Sequence, residues 1–408
     1  MWSVEFALHS GGARSERESR LELALLLTVA LLLGRLEVLL RRIGYRFRAA
    51  DGGVAEQGGA SHGQRPTRAA DELGTDAQPL AADEQLALAP GALPARLFRT
   101  AELTVEQAEA AALIEQRLCA LLAGQPDLSG QPRLAGLLVE QPSLAAFALD
   151  SNTLARYILA RVRGPRRLPD VEASWRLLQV TLSWRAHARL DLPPSAAMRE
   201  HAETGKAYVG GLDVHGRPCV VLDCDKERHP RDEDGQMAHL AHTLQYASML
   251  LHSRPAVANG VTRFVIFIKL SDFSVWTAPS IGTTLRTIRL LLDNFPERLG
   301  QCVFYRAPRA FAPLWAAAAA VIPADTLSKV VFISGDVSPG SVNAEILTAT
   351  LGPTWRKLTG ADQPVVVSGS SPGFDIESYW PMVEQDFARI ANGEPPVGFE
   401  RPLRAGAI

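Results

Sequence analysis

Three short apolar runs constrain the fold of this chain most strongly: Phe264–Leu270, Cys302–Tyr305 and Val330–Ile333. Stretches with the residue pattern of helices separate them. Strands buried on both faces of a parallel sheet have this continuous apolar composition, and the connection between two parallel strands is usually a helix. The chain is therefore predicted to be an α/β protein with a mainly parallel sheet.

The same patterns predict the order of the elements. Strands are predicted at residues 218–223, 263–270, 301–306, 329–334 and 364–368, and helices between them at residues 236–253, 280–293 and 309–321. Upstream, apolar residues recur at helical spacing from Thr104 to Leu122, and Asp170 is placed to cap a further helix. A small all-helical subdomain is therefore expected before the sheet.

The first hundred residues divide into two unlike parts. Leu23–Gly34 is apolar but too short to cross a bilayer, which takes about twenty residues. Arg35–Arg48 carries five arginines among apolar residues, which fits a helix on an anionic membrane surface, a targeting segment, or an amphipathic helix packed on its own domain. The predicted regions are an apolar and basic amphipathic segment at 1–48, a disordered linker at 49–95, the helical subdomain at 96–195, the sheet domain at 196–370 and a C-terminal tail at 371–408.

Composition narrows the class of function. The net charge of −2 over 408 residues gives no overall field that favours nucleic acid. The four cysteines, Cys119, Cys219, Cys224 and Cys302, are scattered without the spacing of a zinc site or a disulfide framework. Free thiols in a reducing compartment are the simplest expectation.

Three polar signatures lie between the apolar runs, at Asn294–Gly300, Ala307–Phe311 and Asp325–Lys329, and a fourth lies upstream at Gly211–Pro218. Their order and separations resemble the CRAL-TRIO lipid-binding domain and, within that family, its phosphatidylinositol-transfer branch. The resemblance extends over about Leu103 to Thr359. It implies the CRAL-TRIO fold, in which a small N-terminal helical subdomain precedes a mainly parallel five-stranded sheet whose flanking helices enclose a lipid cavity.

The resemblance also implies roles for particular residues. The headgroup-binding residues would be Arg161, Glu297, Thr326 and Lys329. The helix that gates the lipid cavity would carry Phe311, Leu314, Trp315, Val321 and Ile322. The residues that line the pocket would be Phe264, Ile266 and Ile268. No catalytic residue, metal or cofactor is implied.

Some of these residues also fit plain structural roles. Glu297 fits a salt bridge with Arg298 or another arginine, and Lys329 fits a solvated strand start. Phe264 and Ile266 stand where choline-lipid-binding members have small hydroxyl residues, so a choline lipid is not expected. The segment Arg163–Pro169 is longer and more basic than the corresponding turn of the family. It is expected to be a solvated turn or, alternatively, a headgroup or membrane contact.

Two enzymatic alternatives are weak. Asp223 and Asp225 end an apolar strand as in haloacid-dehalogenase phosphatases, but Lys226 follows where a tight Gly-Thr turn is needed. His239 and His242 stand three residues apart on a predicted helix, without the glutamate of a zinc-protease motif. We therefore expect no enzyme activity and no metal site.

The predicted function is binding and transfer of a phospholipid, with phosphatidylinositol favoured. An acyl chain of about sixteen carbons requires a long dry pocket, since each buried methylene contributes about 0.8 kcal/mol, and a phosphorylated headgroup requires a fixed cation. A monomeric, cytoplasmic protein is expected that visits membranes transiently, with no nucleic-acid partner. Two alternatives remain: a carrier of a tocopherol-like or retinoid-like hydrophobe, and a membrane-tethered protein that senses lipid.

Overall fold

The computed structural model describes residues 103–124, 132–164, 166–226, 228–229, 232–253, 256, 260–271, 280–360 and 374–399. The amphipathic segment 1–48, the linker 49–95 and the strand predicted at 364–368 lie outside the described residues. The predictions for those segments, and the domain boundaries, stay predictions.

Helices open the described chain, and strands and helices alternate after about residue 206. The helices are α1 Val105–Leu122, α2 Pro132–Glu140, α3 Pro142–Leu149, α4 Ser151–Leu159, α5 Val171–Ala188, α6 Ala196–Glu203, α7 Glu233–Leu250, α8 Ile281–Asn294, α9 Ala312–Ala319, α10 Ala324–Leu327, α11 Val342–Leu351, α12 Thr354–Thr359 and α13 Ile376–Ala391. The strands are β1 Val162–Arg163, β2 Leu168–Pro169, β3 Ala207–Leu212, β4 Pro218–Asp223, β5 Phe264–Lys269, β6 Leu299–Tyr305 and β7 Val330–Ile333.

The helices α1 to α5 precede the sheet, in the region where the sequence predicts a helical subdomain. Thr104 begins α1 with a capping box, in which its hydroxyl accepts from the Gln107 amide and the Gln107 side chain accepts from the Thr104 amide. Asp170 caps α5 as the sequence predicts, accepting from the Ala173 amide. The apolar faces of these helices meet in a core that includes Ile114, Leu118, Leu138, Tyr157, Ile158, Leu178 and Leu182.

The central sheet has five strands in the order β3-β4-β5-β6-β7. Strand β3 is antiparallel to β4, and the pairs from β4 to β7 are parallel. The predicted mainly parallel five-stranded sheet flanked by helices is therefore confirmed. Its fifth described strand is β3, which was not among the predicted strands.

Strand β3 escaped prediction because Gly210 and Gly211 interrupt its apolar pattern. The register between β3 and β4 shifts between Val209 and Leu212, and Gly211 has a φ of 133° at this irregularity. A Cβ atom at Gly210 would lie 2.5 Å from Leu358 Cδ2, so this position requires glycine for close packing against α12.

Alternate residues of β5 face opposite sides of the sheet. Val265 and Phe267 join a core formed with residues of α11 and α12, including Leu347, Leu351 and the fully buried Trp355. Phe264, Ile266 and Ile268 lie on the other face by the two-residue period of a strand. Phe264 and Ile266 are buried, and Ile268 is partly buried.

Two compact units divide the chain. Residues 312–320, which contain α9, fall in one unit, and the described residues outside 312–320 fall in the other. Helix α9 follows a short 3-10 turn at Arg309–Phe311, so the helix predicted over 309–321 is present in a shorter and less regular form. Of the helices in the described residues, none is long and apolar enough to cross a membrane.

The last described helix, α13, depends on a strong cap. Asp375 accepts from the Ser378 amide at 3.2 Å and from the Ser378 hydroxyl at 2.5 Å. The change Asp375→Ala is expected to lower the free energy of unfolding by about 1 kcal/mol, because it leaves amides of the first turn without a protein acceptor. Urea unfolding monitored by circular dichroism measures the change. A loss no larger than that of Glu394→Ala, at an exposed position beyond the helix, would contradict it.

Candidate functional site

Three charged residues lie one or two positions before the starts of three neighbouring strands. Arg263 precedes β5, Glu297 lies two residues before β6, and Lys329 precedes β7. These strands are parallel neighbours, so their amino ends meet at one edge of the sheet. The Cys302 amide donates to the Lys329 carbonyl at 2.9 Å, which fixes the start of β7 against β6. We refer to Arg263, Glu297 and Lys329 as the strand-start cluster.

One oxygen of Glu297 faces both cations of the strand-start cluster. Arg263 Nη2 donates to Glu297 Oε2 at 2.9 Å, and Lys329 Nζ lies 3.9 Å from the same oxygen. The side chains are 23%, 24% and 20% exposed for Arg263, Glu297 and Lys329, so solvent reaches them. Two cations share one carboxylate, which leaves the cluster with a net charge of +1.

Glu297 adopts an unusual backbone conformation, with a φ of 56°. This left-handed region is uncommon for residues other than glycine, and it costs about 1 to 3 kcal/mol. The conformation ends the turn between α8 and β6 and directs the carboxylate toward Arg263 and Lys329.

The surroundings of Lys329 alter its pKa. Partial burial lowers the pKa of its ammonium from the usual lysine range, and the nearby charge of Glu297 acts in the opposite direction. The charges of Arg263, Asp325 and Arg167 also act on Lys329. An incoming anion would favour the protonated form of this lysine, so binding an anion and holding the proton reinforce each other.

The structure brings three of the four predicted headgroup residues together. Thr326 lies in α10, and the Lys329 amide donates to its carbonyl at 3.1 Å. The Thr326 hydroxyl makes no hydrogen bond with another described residue. Arg161 stands apart: its Nη1 donates to the Ala160 carbonyl, and in the described part of the chain it makes no hydrogen bond or ion pair with the other three. The expected salt bridge of Glu297 forms with Arg263, not Arg298.

Three buried arginines influence one another electrostatically, and one of them, Arg298, directly follows Glu297. Arg156, Arg185 and Arg298 are each less than a tenth exposed, and none forms an ion pair with a described carboxylate. Arg298 donates to the Thr262 carbonyl, and Arg156 donates to the Thr153 hydroxyl at 2.7 Å. Burial lowers the pKa of Arg298 well below the usual arginine range, and the charges of Arg156 and Arg185 lower it further. These residues give the interior a positive potential that sequence reasoning did not find.

The predicted gate and pocket residues stay predictions. Helix α9 carries Leu314 and Trp315, which are partly buried. Phe311, just before this helix, is buried, and its ring centroid lies 5.3 Å from that of Phe304. Val321 is exposed and Ile322 is partly buried. Phe264, Ile266 and Ile268 share one face of the sheet, as expected for residues that line a common surface.

A buried ion pair lies at the opposite ends of the strands. Asp223 ends β4, Lys269 ends β5, and the two are register partners. Lys269 Nζ lies 2.6 Å from Asp223 Oδ2, and both side chains are almost fully buried. Asp223 is the first carboxylate of the phosphatase alternative, and its side chain is paired with Lys269 and only 1% exposed. The pairing was not predicted, because 46 residues separate its partners.

The histidines of α7 are packing residues. His239 and His242 are buried, and burial lowers the pKa of His239 to about 3 and that of His242 to about 4. His239 stacks on His201 with ring centroids 6.3 Å apart. Within the described residues, no group of three or more histidine, cysteine, aspartate or glutamate side chains is placed to hold a metal ion.

Comparisons with known proteins agree on the domain type. The CRAL/TRIO domain model matches residues 202–352, which contain the sheet and the strand-start cluster. A CRAL-TRIO domain-containing protein of Schizosaccharomyces pombe is 28% identical over 130 residues, which cover 32% of this chain and 12% of that protein.

Two insect relatives are both named Protein real-time. The protein from Aedes aegypti is 26% identical over 209 residues, covering 48% of this chain and 31% of that protein. The Drosophila melanogaster protein is 26% identical over 200 residues, which cover 45% of this chain and 29% of that protein. The chain thus spans about a third or less of the length of the curated relatives it matches.

Among solved structures, the crystal structure of Sfh5 covers 56% of this chain and 80% of its own, with 12% identity and a TM-score of 0.37. Likeness at that level supports no conclusion about this chain. The domain assignment therefore depends on the family model and on the sheet, whose mainly parallel order agrees with it. Residues 202–352 therefore match the CRAL/TRIO domain model in sequence, and the sheet they contain agrees with that match.

Proposed function

We propose that the protein binds a phospholipid with a phosphorylated headgroup, most favourably phosphatidylinositol, and transfers it between membranes or presents it to lipid-modifying enzymes. The observation that carries this proposal is the strand-start cluster, where two cations share one carboxylate at the surface of a CRAL-TRIO domain. CRAL-TRIO domains are in general lipid-binding and non-enzymatic. The expected place of action is the cytoplasmic surface of membranes.

The charge arrangement supports a phosphate over a neutral group. A phosphate diester carries one negative charge, which would balance the net charge of +1 on the strand-start cluster. Thr326 and Lys329 stand three residues apart, and the Thr326 hydroxyl and the Lys329 ammonium can both donate to phosphate oxygens. A further arginine, Arg298, directly follows Glu297 and is buried. Hydrogen bonds between charged groups contribute about 1.5 to 3 kcal/mol each, enough to select a headgroup.

The change Lys329→Ala is expected to weaken phosphatidylinositol binding by about tenfold to a hundredfold, because it removes the ammonium that would contact the phosphate. The fold should persist, since Glu297 keeps its pair with Arg263. The measurement is native mass spectrometry of the full chain after incubation with mixed liposomes, which identifies the lipid that co-purifies.

The matched control is Lys357→Ala, which removes an exposed lysine on α12. It should retain phosphatidylinositol as the parent protein does. Equal retention by the Lys329→Ala variant would contradict the headgroup site. A fluorescent-lipid exchange assay between vesicles then separates transfer from binding alone: a lipid sensor would load phosphatidylinositol without moving it.

A carrier of an unphosphorylated hydrophobe is the second candidate. The apolar side chains of Phe264 and Ile266, where hydroxyl residues would suit a choline lipid, favour it. On this alternative, Lys329 serves only to pair Glu297. A neutral lipid recovered in equal amounts from the parent and the Lys329→Ala variant would support the carrier function.

A further inference from the structure

The segment between α4 and α5 forms a β-hairpin with an unusual charge. Strand β1 pairs with β2 in the antiparallel direction, Val162 opposite Pro169 and Arg163 opposite Leu168. We refer to residues 162–169, of which 165 lies outside the described residues, as the basic hairpin. Four arginines and one aspartate occur between residues 161 and 170.

Hydrogen bonds fix the basic hairpin to the helical subdomain. The Arg167 amide donates to the Gly164 carbonyl at 3.0 Å and closes the turn. The Gln107 side chain donates to the Arg167 carbonyl at 3.1 Å, which attaches the hairpin to α1. At its base, the Asp170 amide donates to the Arg161 carbonyl. Its arginines are therefore held on a defined platform.

The arginine side chains of the basic hairpin point into solvent. Arg163 is 75% exposed and Arg167 is 54% exposed, and Arg166 is also exposed. Arg163 pairs with Asp170, and Arg167 lies 3.7 Å from Asp325. Arg166 forms no ion pair in the described part of the chain. Exposed pairs of this kind contribute little to stability, so folding does not explain the cluster.

An apolar side chain lies among these charges. Leu168 follows Arg167 directly and is 48% exposed, although it stands in a strand. A leucine flanked by arginines suits the boundary between lipid headgroups and acyl chains, where the apolar group enters and the guanidinium groups meet phosphates. An acidic protein surface would match the charge but would not account for the exposed leucine as well.

The basic hairpin lies beside the candidate headgroup site. Arg167 faces Asp325, which directly precedes Thr326 in α10. The charge of Arg167 also acts on Lys329. A bilayer in contact with the hairpin would therefore present its headgroups next to the strand-start cluster.

We propose that the basic hairpin is a docking surface for a bilayer that carries anionic phospholipids, and that it holds the headgroup site at the membrane. The docking surface is inferred from the geometry of the basic hairpin. Its role in lipid loading rests on the proposed function. The net charge of the chain is −2, so attraction to an anionic membrane needs a local surface of this kind.

The test compares binding of the full chain to vesicles of phosphatidylcholine alone and of phosphatidylcholine with phosphatidylserine, both without phosphatidylinositol. Each arginine near an anionic surface contributes about fivefold in affinity, so Arg166→Ala/Arg167→Ala should weaken binding to the anionic vesicles by roughly twenty-fivefold at low salt. Added salt should weaken the binding of the parent protein. The control Arg176→Ala/Arg289→Ala removes two exposed arginines from α5 and α8 and should change binding by less than about twofold.

A local measurement separates the basic hairpin from other segments that bind membranes. Hydrogen exchange of the amides at 161–170 should slow on anionic vesicles and stay unchanged on phosphatidylcholine. If the Arg166→Ala/Arg167→Ala variant binds as the parent does and these amides are not protected, the proposal is overturned. Equal binding to both kinds of vesicle also overturns it.

Lipid loading gives an independent readout. The Lys329→Ala variant should still bind anionic vesicles, and the Arg166→Ala/Arg167→Ala variant should still load phosphatidylinositol when lipid is supplied in detergent. Failure of the headgroup site would therefore leave vesicle binding intact. Failure of the docking surface would leave phosphatidylinositol loading intact.

Discussion

Replacing Lys269 with methionine is expected to lower the free energy of unfolding by about 3 to 5 kcal/mol, because it leaves the carboxylate of Asp223 buried without its partner. The two side chains are 6% and 1% exposed, so water cannot take the place of the ammonium. Urea denaturation of the full chain measures the effect as a lower midpoint.

The double variant Asp223→Leu/Lys269→Met supplies the control. An apolar pair of similar volume often matches or exceeds the stability of a buried ion pair, so the double variant should recover most of what Lys269→Met loses. A double variant no more stable than Lys269→Met would show that the loss comes from packing at position 269 and not from the uncompensated carboxylate.

Acid is expected to destabilise the protein through His239 and His242. Their pKa values are lowered to about 3 and about 4, mainly by burial, whereas an unfolded chain protonates histidine near pH 6.5. Between these values the unfolded state binds more protons, so stability is complete above about pH 6.5 and falls as the pH is lowered. At about pH 4.5 each histidine should lower the free energy of unfolding by about 2 to 3 kcal/mol.

Unfolding by urea across this pH range measures the dependence. The neighbours of His239 reinforce it, since His201, His242 and Lys206 all disfavour its charged form. The change His239→Gln should flatten the dependence between about pH 4.5 and 6.5, whereas His187→Gln, at an exposed position on α5, should not. Equal slopes for the parent and the His239→Gln variant would contradict the prediction.

The strands that the sequence predicted well are those with a continuous apolar composition. The run Val330–Ile333 is apolar throughout, and the run Phe264–Leu270 is apolar except at Lys269. Both strands begin and end within one residue of the predicted bounds. Strand β3 was missed because its glycines serve close packing and a change of register, which depend on α12 and on the partner strand. Local patterns carry no information about such partners.

The sequence predicted some residues of the candidate site and missed others. Glu297, Thr326 and Lys329 stand within the signatures that define the resemblance, and the structure brings them together. Arg263 was missed, although it precedes its strand as Lys329 does, and this shared position was the available signal. The buried arginines Arg156 and Arg298 were missed because arginine is abundant in this chain and sequence alone does not reveal its burial.

The left-handed backbone at Glu297 has a consequence for natural variation. Glycine or asparagine suits a φ of 56° better than glutamate, so selection for stability alone would favour one of them. Neither carries a carboxylate that could hold Arg263 and Lys329 together. Glu297 therefore keeps a carboxylate at the cost of a less stable backbone conformation. In related proteins that do not bind an anionic headgroup, glycine is expected to replace glutamate at this position.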